Sequence, residues 1–127
     1  MITITGGPIS IEQTVNSLRH PDCGAVISYL GTVRSYLDGR QSKGLSFKVS
    51  DEEMKAALEA VESEVVQGFD VREMAIVHRT GSFKVGDEIL LIAISTGHRG
   101  PAFEACLAAI DRIKELHDVW KREELAD

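Results

Sequence analysis

The chain has 127 residues, of which 43% are apolar and 27% are charged. These values are typical of a globular protein and argue against a disordered chain, and the length predicts a single domain over residues 1–127. Fourteen basic residues against twenty acidic ones leave a formal charge of −6. This balance disfavours nonspecific binding to nucleic acid, because phosphate neutralisation supplies most of that affinity.

The cysteines and the first residues favour an intracellular protein. Cys23 and Cys106 form no CxxC or CxxH pattern, so neither a disulfide framework nor a structural zinc site is predicted. The N-terminal residues MITITGGP lack the basic region of a signal peptide. No apolar run approaches the ~20 residues that a membrane span needs. We therefore expect a cytoplasmic protein without a membrane segment.

The chain begins with a strand and a helix. Residues 1–5 alternate Ile and Thr, which is typical of a short strand. Ser10 and Gln13 have the spacing of a capping box, and apolar residues follow at helical steps, which predicts a helix over 11–19.

A strand and a polar segment come next. Residues 24–33 are rich in β-branched and apolar side chains and predict a strand, in which Gly31 marks a bulge or a close backbone approach. Residues 34–44 are polar and interrupted by glycines, which predicts a mobile loop. Residues 45–49 alternate again and predict another strand.

The second half predicts two helices around a strand pair. Ser50 opens a second capping box, and a helix is predicted over 51–67. Residues 70–79 and 87–96 predict two antiparallel strands, joined by glycine-containing turns.

The last predicted helix opens at Gly100-Pro101, and residues 117–127 predict a charged tail around Trp120. The element order βαββαββα predicts an α+β domain with a mainly antiparallel sheet.

Three segments place cationic groups beside irregular backbone: Gly31–Arg34, Ser95–Gly100, and Lys114 with Trp120–Glu123. The second has the strongest physical case, since the free N–H groups of a helix N-terminus attract anions. Arg99 adds donors matched to phosphate or carboxylate, and His98 can donate a hydrogen bond or transfer a proton. In the alternative interpretation, Arg99 pairs with a surface acid and His98 bonds to the backbone of the turn.

The lysines of the third segment have helical spacing. Lys114 and Lys121 are two turns apart and lie within about 20° of each other if the helix continues. Like charges at ~5 Å cost roughly 3 kcal/mol at an effective dielectric of ~20, and an anionic ligand relieves that repulsion. The alternative is a solvated basic stretch. His20, His78 and His117 are spaced like no metal site, and His78-Arg79 is predicted to serve a turn or an interface.

Together these segments resemble a known enzyme family. The stretches that carry the resemblance are CGAVISYLGTVR at 23–34, VREMAIVHRTGSFKVGDEILLIAISTGHRGPAFEA at 71–105 and IKELHDVWKRE at 113–123. They resemble the large, catalytic subunit of molybdopterin synthase. The resemblance implies an α/β-hammerhead fold with an added antiparallel sheet. It implies sulfur transfer that turns cyclic pyranopterin monophosphate (precursor Z) into the dithiolene of molybdopterin.

The resemblance also implies partners. The sulfur donor would be the C-terminal Gly-Gly thiocarboxylate of a small ubiquitin-like subunit, which threads into a pocket of the large subunit. The assembly would be a heterotetramer around a dimer of large subunits. One pocket would then draw groups from both copies. The nucleophilic sulfur arrives on the partner, so no metal, cofactor or cysteine is implied.

Residue roles follow from the resemblance by position. Lys114 and Lys121 would be catalytic, with Lys114 as general acid/base at the thiocarboxylate and Lys121 holding developing negative charge. The substrate-binding residues would be these two lysines together with Thr32, Val33, Arg34, His98, Arg99, Arg122 and Glu123.

The sequence departs from the family in two places. Family members carry a Glu-His-Tyr-like stretch where this chain has Ser46-Phe47-Lys48-Val49. The family's extension beyond the KRE motif is largely absent. These departures leave open a non-catalytic module that binds a Gly-Gly tail or a phosphorylated metabolite. A nucleic-acid binder is disfavoured by the charge and by the absence of an aromatic-basic stripe.

Overall fold

The computed structural model describes residues 1–37 and 39–125. Its elements, in chain order, are β1 (Ile2–Thr5), α1 (Ile11–Ser17), β2 (Ala25–Thr32), β3 (Tyr36–Leu37), β4 (Arg40–Phe47), α2 (Asp51–Gly68), β5 (Glu73–Arg79), β6 (Ser82–Lys84), β7 (Glu88–Thr96), α3 (Arg99–Trp120) and β8 (Lys121–Leu125). The predicted α+β class is confirmed, and three short strands, β3, β6 and β8, are added to the predicted order.

The larger sheet has the strand order β1-β5-β7-β2. Strand β1 runs parallel to β5, while β5–β7 and β2–β7 are antiparallel, so the predicted antiparallel pairing of 70–79 with 87–96 is confirmed. The β2–β7 register shifts between Gly31 and Thr32. This shift is the bulge that Gly31 predicted, and it turns the end of β2 out of the regular ladder.

Helices cover both faces of this sheet. Successive strand residues point to opposite faces, and on β5 Met74 and Ile76 join the core that includes residues of α2 and α3. Ala75 packs on the other face with Leu18, which follows α1. Double coverage explains why β7 reads as a nearly unbroken apolar run and not as an alternating one.

Both predicted capping boxes are present. The Ser10 hydroxyl accepts from the Gln13 amide at the start of α1, and the Ser50 hydroxyl accepts from the Glu53 amide at the start of α2. Each bond satisfies one amide that the first helical turn leaves without a partner. Among the described residues, no helix is long and apolar enough to cross a membrane.

The smaller sheet corrects the expectation of a mobile loop over 34–44. It has the order β3-β4-β6, with β8 also paired to β4; Asp38 lies outside the described residues. Gly39, at φ 77°, adopts a left-handed conformation between β3 and β4. A Cβ atom on Gly44 would overlap the carbonyl of Phe83, so this glycine lets β6 approach closely. The polar residues and glycines therefore serve strand pairing.

The end of the described chain is also ordered. α3 continues through His117 to Trp120, which is buried as expected of an anchor. β8 then pairs antiparallel with β4, with Lys121 opposite Phe47. The expected charged tail is thus a helix end and a strand, and residues 126 and 127 lie outside the described part. This pairing fixes the charged residues of β8 beside the last turn of α3.

Candidate functional site

A cavity of about 360 Å³ opens where the end of β2, the last turns of α3 and strand β8 meet. Its lining combines an apolar floor with charged side chains. The lining residues are Tyr29, Gly31, Thr32, Val33, Arg34, Leu45, Ile89, Leu90, Ile110, Ile113, Lys114, His117, Asp118, Lys121 and Glu123.

The end of β2 supplies the first wall of the cavity. Val33 is buried, and its amide donates to the carbonyl of Asp87 over 3.0 Å while its carbonyl accepts from the Gly86 amide over 2.7 Å. These two bonds anchor the segment after the bulge. Thr32 and Arg34, on either side, remain exposed, so the guanidinium is presented at the cavity by a fixed backbone.

Helix α3 and strand β8 supply the second wall. Lys114 and Lys121 both line the cavity, although α3 ends at Trp120, between them. Lys114 is exposed, whereas the Lys121 side chain keeps a quarter of its surface accessible. The geometry therefore brings the two lysines to one cavity, with Lys121 as the more enclosed of the two.

A chain of polar contacts holds Lys121. Its Nζ lies 3.5 Å from Oε1 of Glu123, whose side chain is 13% exposed. The buried hydroxyl of Ser42 donates to Oε2 of the same carboxylate over 2.7 Å. Because Ser42 belongs to β4, the second sheet fixes the carboxylate that faces the lysine. Sequence reasoning missed Ser42, because it lies 81 positions from its partner in a segment expected to be a loop.

Two histidines form the wall behind the cavity. His78 is completely buried on β5, and its Nε2 lies 2.8 Å from Nε2 of His117. The interpretation that His78-Arg79 serves a turn or an interface is wrong for His78, which points into the core. His117 was missed, although its position three residues after Lys114 and four before Lys121 is the helical spacing that marks a shared face.

Burial sets the charge of this pair. Desolvation lowers the pKa of His78. Desolvation, the neighbouring His78 and the Lys121 ammonium together lower the pKa of His117 to about 3. Both rings are therefore neutral at physiological pH, since burial penalises the charged imidazolium.

Three of the predicted site residues lie away from the cavity. Arg122 is exposed and is absent from the cavity lining. His98 and Arg99 are exposed at the N-terminal end of α3. Fifteen residues of helix separate Arg99 from Lys114, which is about 22 Å. Within one chain, the two cationic groups are thus at opposite parts of the same helix.

The cysteines are remote from this chemistry. Neither Cys23 nor Cys106 lines the cavity, and burial raises the pKa of the Cys106 thiol, which makes it a poor nucleophile. Across residues 1–37 and 39–125, no three His, Cys, Asp or Glu side chains come together as a metal site requires.

Comparison with known proteins places this arrangement in a family. The family model of the MoaE protein matches residues 4–116. A molybdopterin synthase catalytic subunit from Halalkalibacterium halodurans is 33% identical over 120 residues, which covers 94% of this chain and 77% of the relative.

Solved structures agree with the sequence match. The X-ray crystal structure of molybdopterin synthase from Staphylococcus aureus has a TM-score of 0.85 and 30% identity, and covers 98% of this chain and 91% of that one. A complex of subunits 1 and 2 of the molybdopterin-converting factor from Helicobacter pylori has a TM-score of 0.60 over 99% of this chain and 90% of that one, and at 17% identity it shares the fold. The fold and family expected from the sequence are confirmed, and the chain belongs to the MoaE protein family.

Proposed function

We propose that this protein is the catalytic subunit of a molybdopterin synthase. It transfers sulfur from the C-terminal thiocarboxylate of a small ubiquitin-like subunit to precursor Z and so builds the dithiolene of molybdopterin. It acts in the cytoplasm, with residues 1–127 as one domain, in a heterotetramer built on a dimer of this chain. The relatives named as a catalytic subunit support a second kind of subunit, because the name implies a partner.

The observation that carries this proposal is the concentration of cations at one cavity of an acidic chain. The formal charge is −6, yet Arg34, Lys114 and Lys121 all line the same space beside Asp118 and Glu123, so the cavity lining has a net positive charge. The cyclic phosphate of the substrate and the thiocarboxylate of the donor are both anions. An acidic protein needs such a local positive site to hold them, because the field at a cleft depends on the nearest charges.

The reaction divides between the two lysines. Lys114 is the general acid/base beside the thiocarboxylate, and Lys121 stabilises negative charge as the sulfur–carbon bonds form and break. Each transfer leaves sulfur on the substrate and a carboxylate on the carrier, with water supplying the oxygen. Glu123, held by Ser42, keeps Lys121 in place.

The remaining substrate contacts come from two places. Thr32, Val33 and Arg34 hold the substrate from the end of β2, where the backbone is anchored. His98 and Arg99 lie about 22 Å away along α3, so they reach this substrate from the second copy in the dimer. Arg122 is exposed on β8 and contributes at the rim, where the carrier tail enters.

The test is a single turnover with precursor Z and thiocarboxylated carrier. Lys114→Ala is expected to lose ~10²–10⁴-fold in the rate of dithiolene formation, the usual contribution of general acid/base catalysis. Lys55→Ala, which removes an exposed lysine of α2, is the matched control and keeps the wild-type rate. Near-normal turnover by Lys114→Ala would remove this lysine from the mechanism. Binding of both ligands by the wild type without sulfur transfer would instead establish a non-catalytic module.

A further inference from the structure

The contacts of His78 and His117 determine which nitrogen of each imidazole carries the hydrogen and which one accepts. Nδ1 of His78 lies 2.8 Å from the carbonyl oxygen of Arg79. A carbonyl only accepts, so Nδ1 of His78 carries the hydrogen. In the neutral ring, Nε2 of His78 is then an acceptor. The hydrogen on the 2.8 Å contact therefore belongs to Nε2 of His117, and Nδ1 of His117 keeps a free lone pair.

The packing fixes where this lone pair lies. The His117 ring packs against Phe47, with centroids 4.8 Å apart, and against Trp120, with centroids 6.3 Å apart. His78 is completely buried behind it. His117 itself lines the cavity. Among the described residues, Nδ1 of His117 has no hydrogen-bond partner, and it is not sealed from solvent. The ring thus presents an acceptor on the accessible side of a rigid aromatic wall.

The groups around His117 make a cation the expected hydrogen-bond donor to its Nδ1. The charged or titratable groups that line the cavity with it are Arg34 after β2, Lys114 and Asp118 of α3, and Lys121 and Glu123 of β8. On β5, His78 contacts the His117 ring and bonds to the backbone of Arg79. Burial opposes protonation of the His117 ring most strongly, and His78 and the Lys121 ammonium oppose it further; Lys121 and His117 line the same cavity. The ring therefore stays neutral beside the ammonium and can only accept from it on the Nδ1 side.

The Lys121 ammonium has more N–H donors than its contact with Glu123 uses. An ammonium group has three N–H donors, and the Glu123 oxygen, at 3.5 Å, is beyond good hydrogen-bond length. Building on the proposed function, we propose that His117, oriented by His78, is a positioning residue whose Nδ1 accepts a hydrogen bond from the Lys121 ammonium during sulfur transfer. Glu123 then holds the lysine by charge from β8, while His117 fixes its direction from α3.

Two substitutions at His117 separate this role from packing. His117→Asn keeps an acceptor oxygen near the position of Nδ1 but loses the aromatic ring, whereas His117→Phe keeps the ring packing and loses the acceptor. Both lose the bond to His78. The proposal expects kcat of His117→Phe to fall about tenfold or more, as for lost hydrogen bonds to charged groups. It expects His117→Asn to retain most of kcat, and KM for precursor Z to change little in either variant.

A purely structural role gives the reverse order, with Phe more active than Asn, and that result would overturn the proposal. Equal loss in both variants would also overturn it. A melting temperature for each variant identifies any loss that comes from unfolding.

A second measurement needs neither substrate nor variant. Nitrogen-15 NMR of the imidazoles in the wild-type protein is expected to show His117 neutral at pH 7, with hydrogen on Nε2 and none on Nδ1. The opposite tautomer removes the free acceptor and overturns the inference. Absence of sulfur transfer by the wild type would refute the proposed function. The NMR measurement of the His117 tautomer does not depend on sulfur transfer, so the two failures can be told apart.

Discussion

At the scale of single residues, the cavity depends on polar side chains that secondary-structure patterns do not reveal. The seven-residue spacing of Lys114 and Lys121 predicts a shared face, and the structure brings both to the cavity. Ser42 and Glu123 meet across 81 residues, and no local pattern encodes such a contact. Sequence reasoning therefore reached the lysines and Glu123 but not Ser42, whose hydroxyl holds the Glu123 carboxylate.

Ser42 gives a prediction at this scale. Its hydroxyl donates to Glu123 over 2.7 Å and accepts from the amide of Gly44 over 3.2 Å. Ser42→Ala removes both bonds and leaves buried polar groups without partners, which costs about 1–3 kcal/mol. Turnover in sulfur transfer is expected to fall severalfold, because the carboxylate facing Lys121 is no longer fixed.

Ser46 provides the matched control for this substitution. It lies on the same strand and makes no side-chain hydrogen bond in the described part of the chain. Ser46→Ala is expected to leave both the free energy of unfolding, measured in urea, and turnover within the error of wild type. Equal effects of the two substitutions would show that the Glu123 contact is irrelevant.

At the scale of elements, the long and strongly patterned segments are predictable and the short strands are not. Helix α2 runs from Asp51 to Gly68, close to the predicted 51–67, because its capping box and apolar spacing are local signals. Strands β3, β6 and β8 have two to five residues. Their order depends on pairing with β4, which is a non-local contact, so their sequences look like loops.

The His78–His117 contact joins β5 to the last turn of α3, and it makes the stability of the fold depend on pH. The folded protein lowers the pKa of both rings. The unfolded chain protonates them near the ordinary value of about 6.5. Below that pH the unfolded state binds more protons, so the contribution of these two rings to the free energy of unfolding is fully present above about pH 6.5 and is lost as pH decreases toward 3.

The expected slope is up to about 1.4 kcal/mol per pH unit for each neutral ring that unfolding protonates. His117→Phe removes one of the two titratable imidazoles, so its acid loss of stability is expected to be shallower than that of wild type. Urea unfolding between about pH 4 and pH 7 measures this slope. His98→Asn removes an exposed histidine and controls for the loss of a histidine as such. Parallel curves for wild type and His117→Phe would contradict the assignment of a neutral buried ring.

At the scale of the whole molecule, helix α3 separates two sets of cationic residues. Lys114 and Lys121 lie at the cavity, whereas His98 and Arg99 lie at the start of the helix, about 22 Å from Lys114. The sequence identified both sets but not their separation. A motif indicates which residues act at one site, but it does not indicate which chain of a dimer contributes each residue to that site. A single substrate contacts both sets only if two chains face each other with α3 reversed, as a two-fold axis allows.

Mixed dimers test this arrangement. Arg99→Ala and Lys114→Ala are each expected to be inactive alone. A mixed dimer contains one Arg99→Ala chain and one Lys114→Ala chain. One of its two sites then combines an intact Lys114 from one chain with an intact Arg99 from the other. Random pairing makes half of the dimers mixed, so co-expression is expected to restore about one quarter of the wild-type rate of sulfur transfer. Lys114→Ala mixed with Lys121→Ala is the control and restores nothing, because both lysines of a site come from one chain. No recovery in the first mixture would mean that Arg99 does not act across the dimer on the substrate held at Lys114.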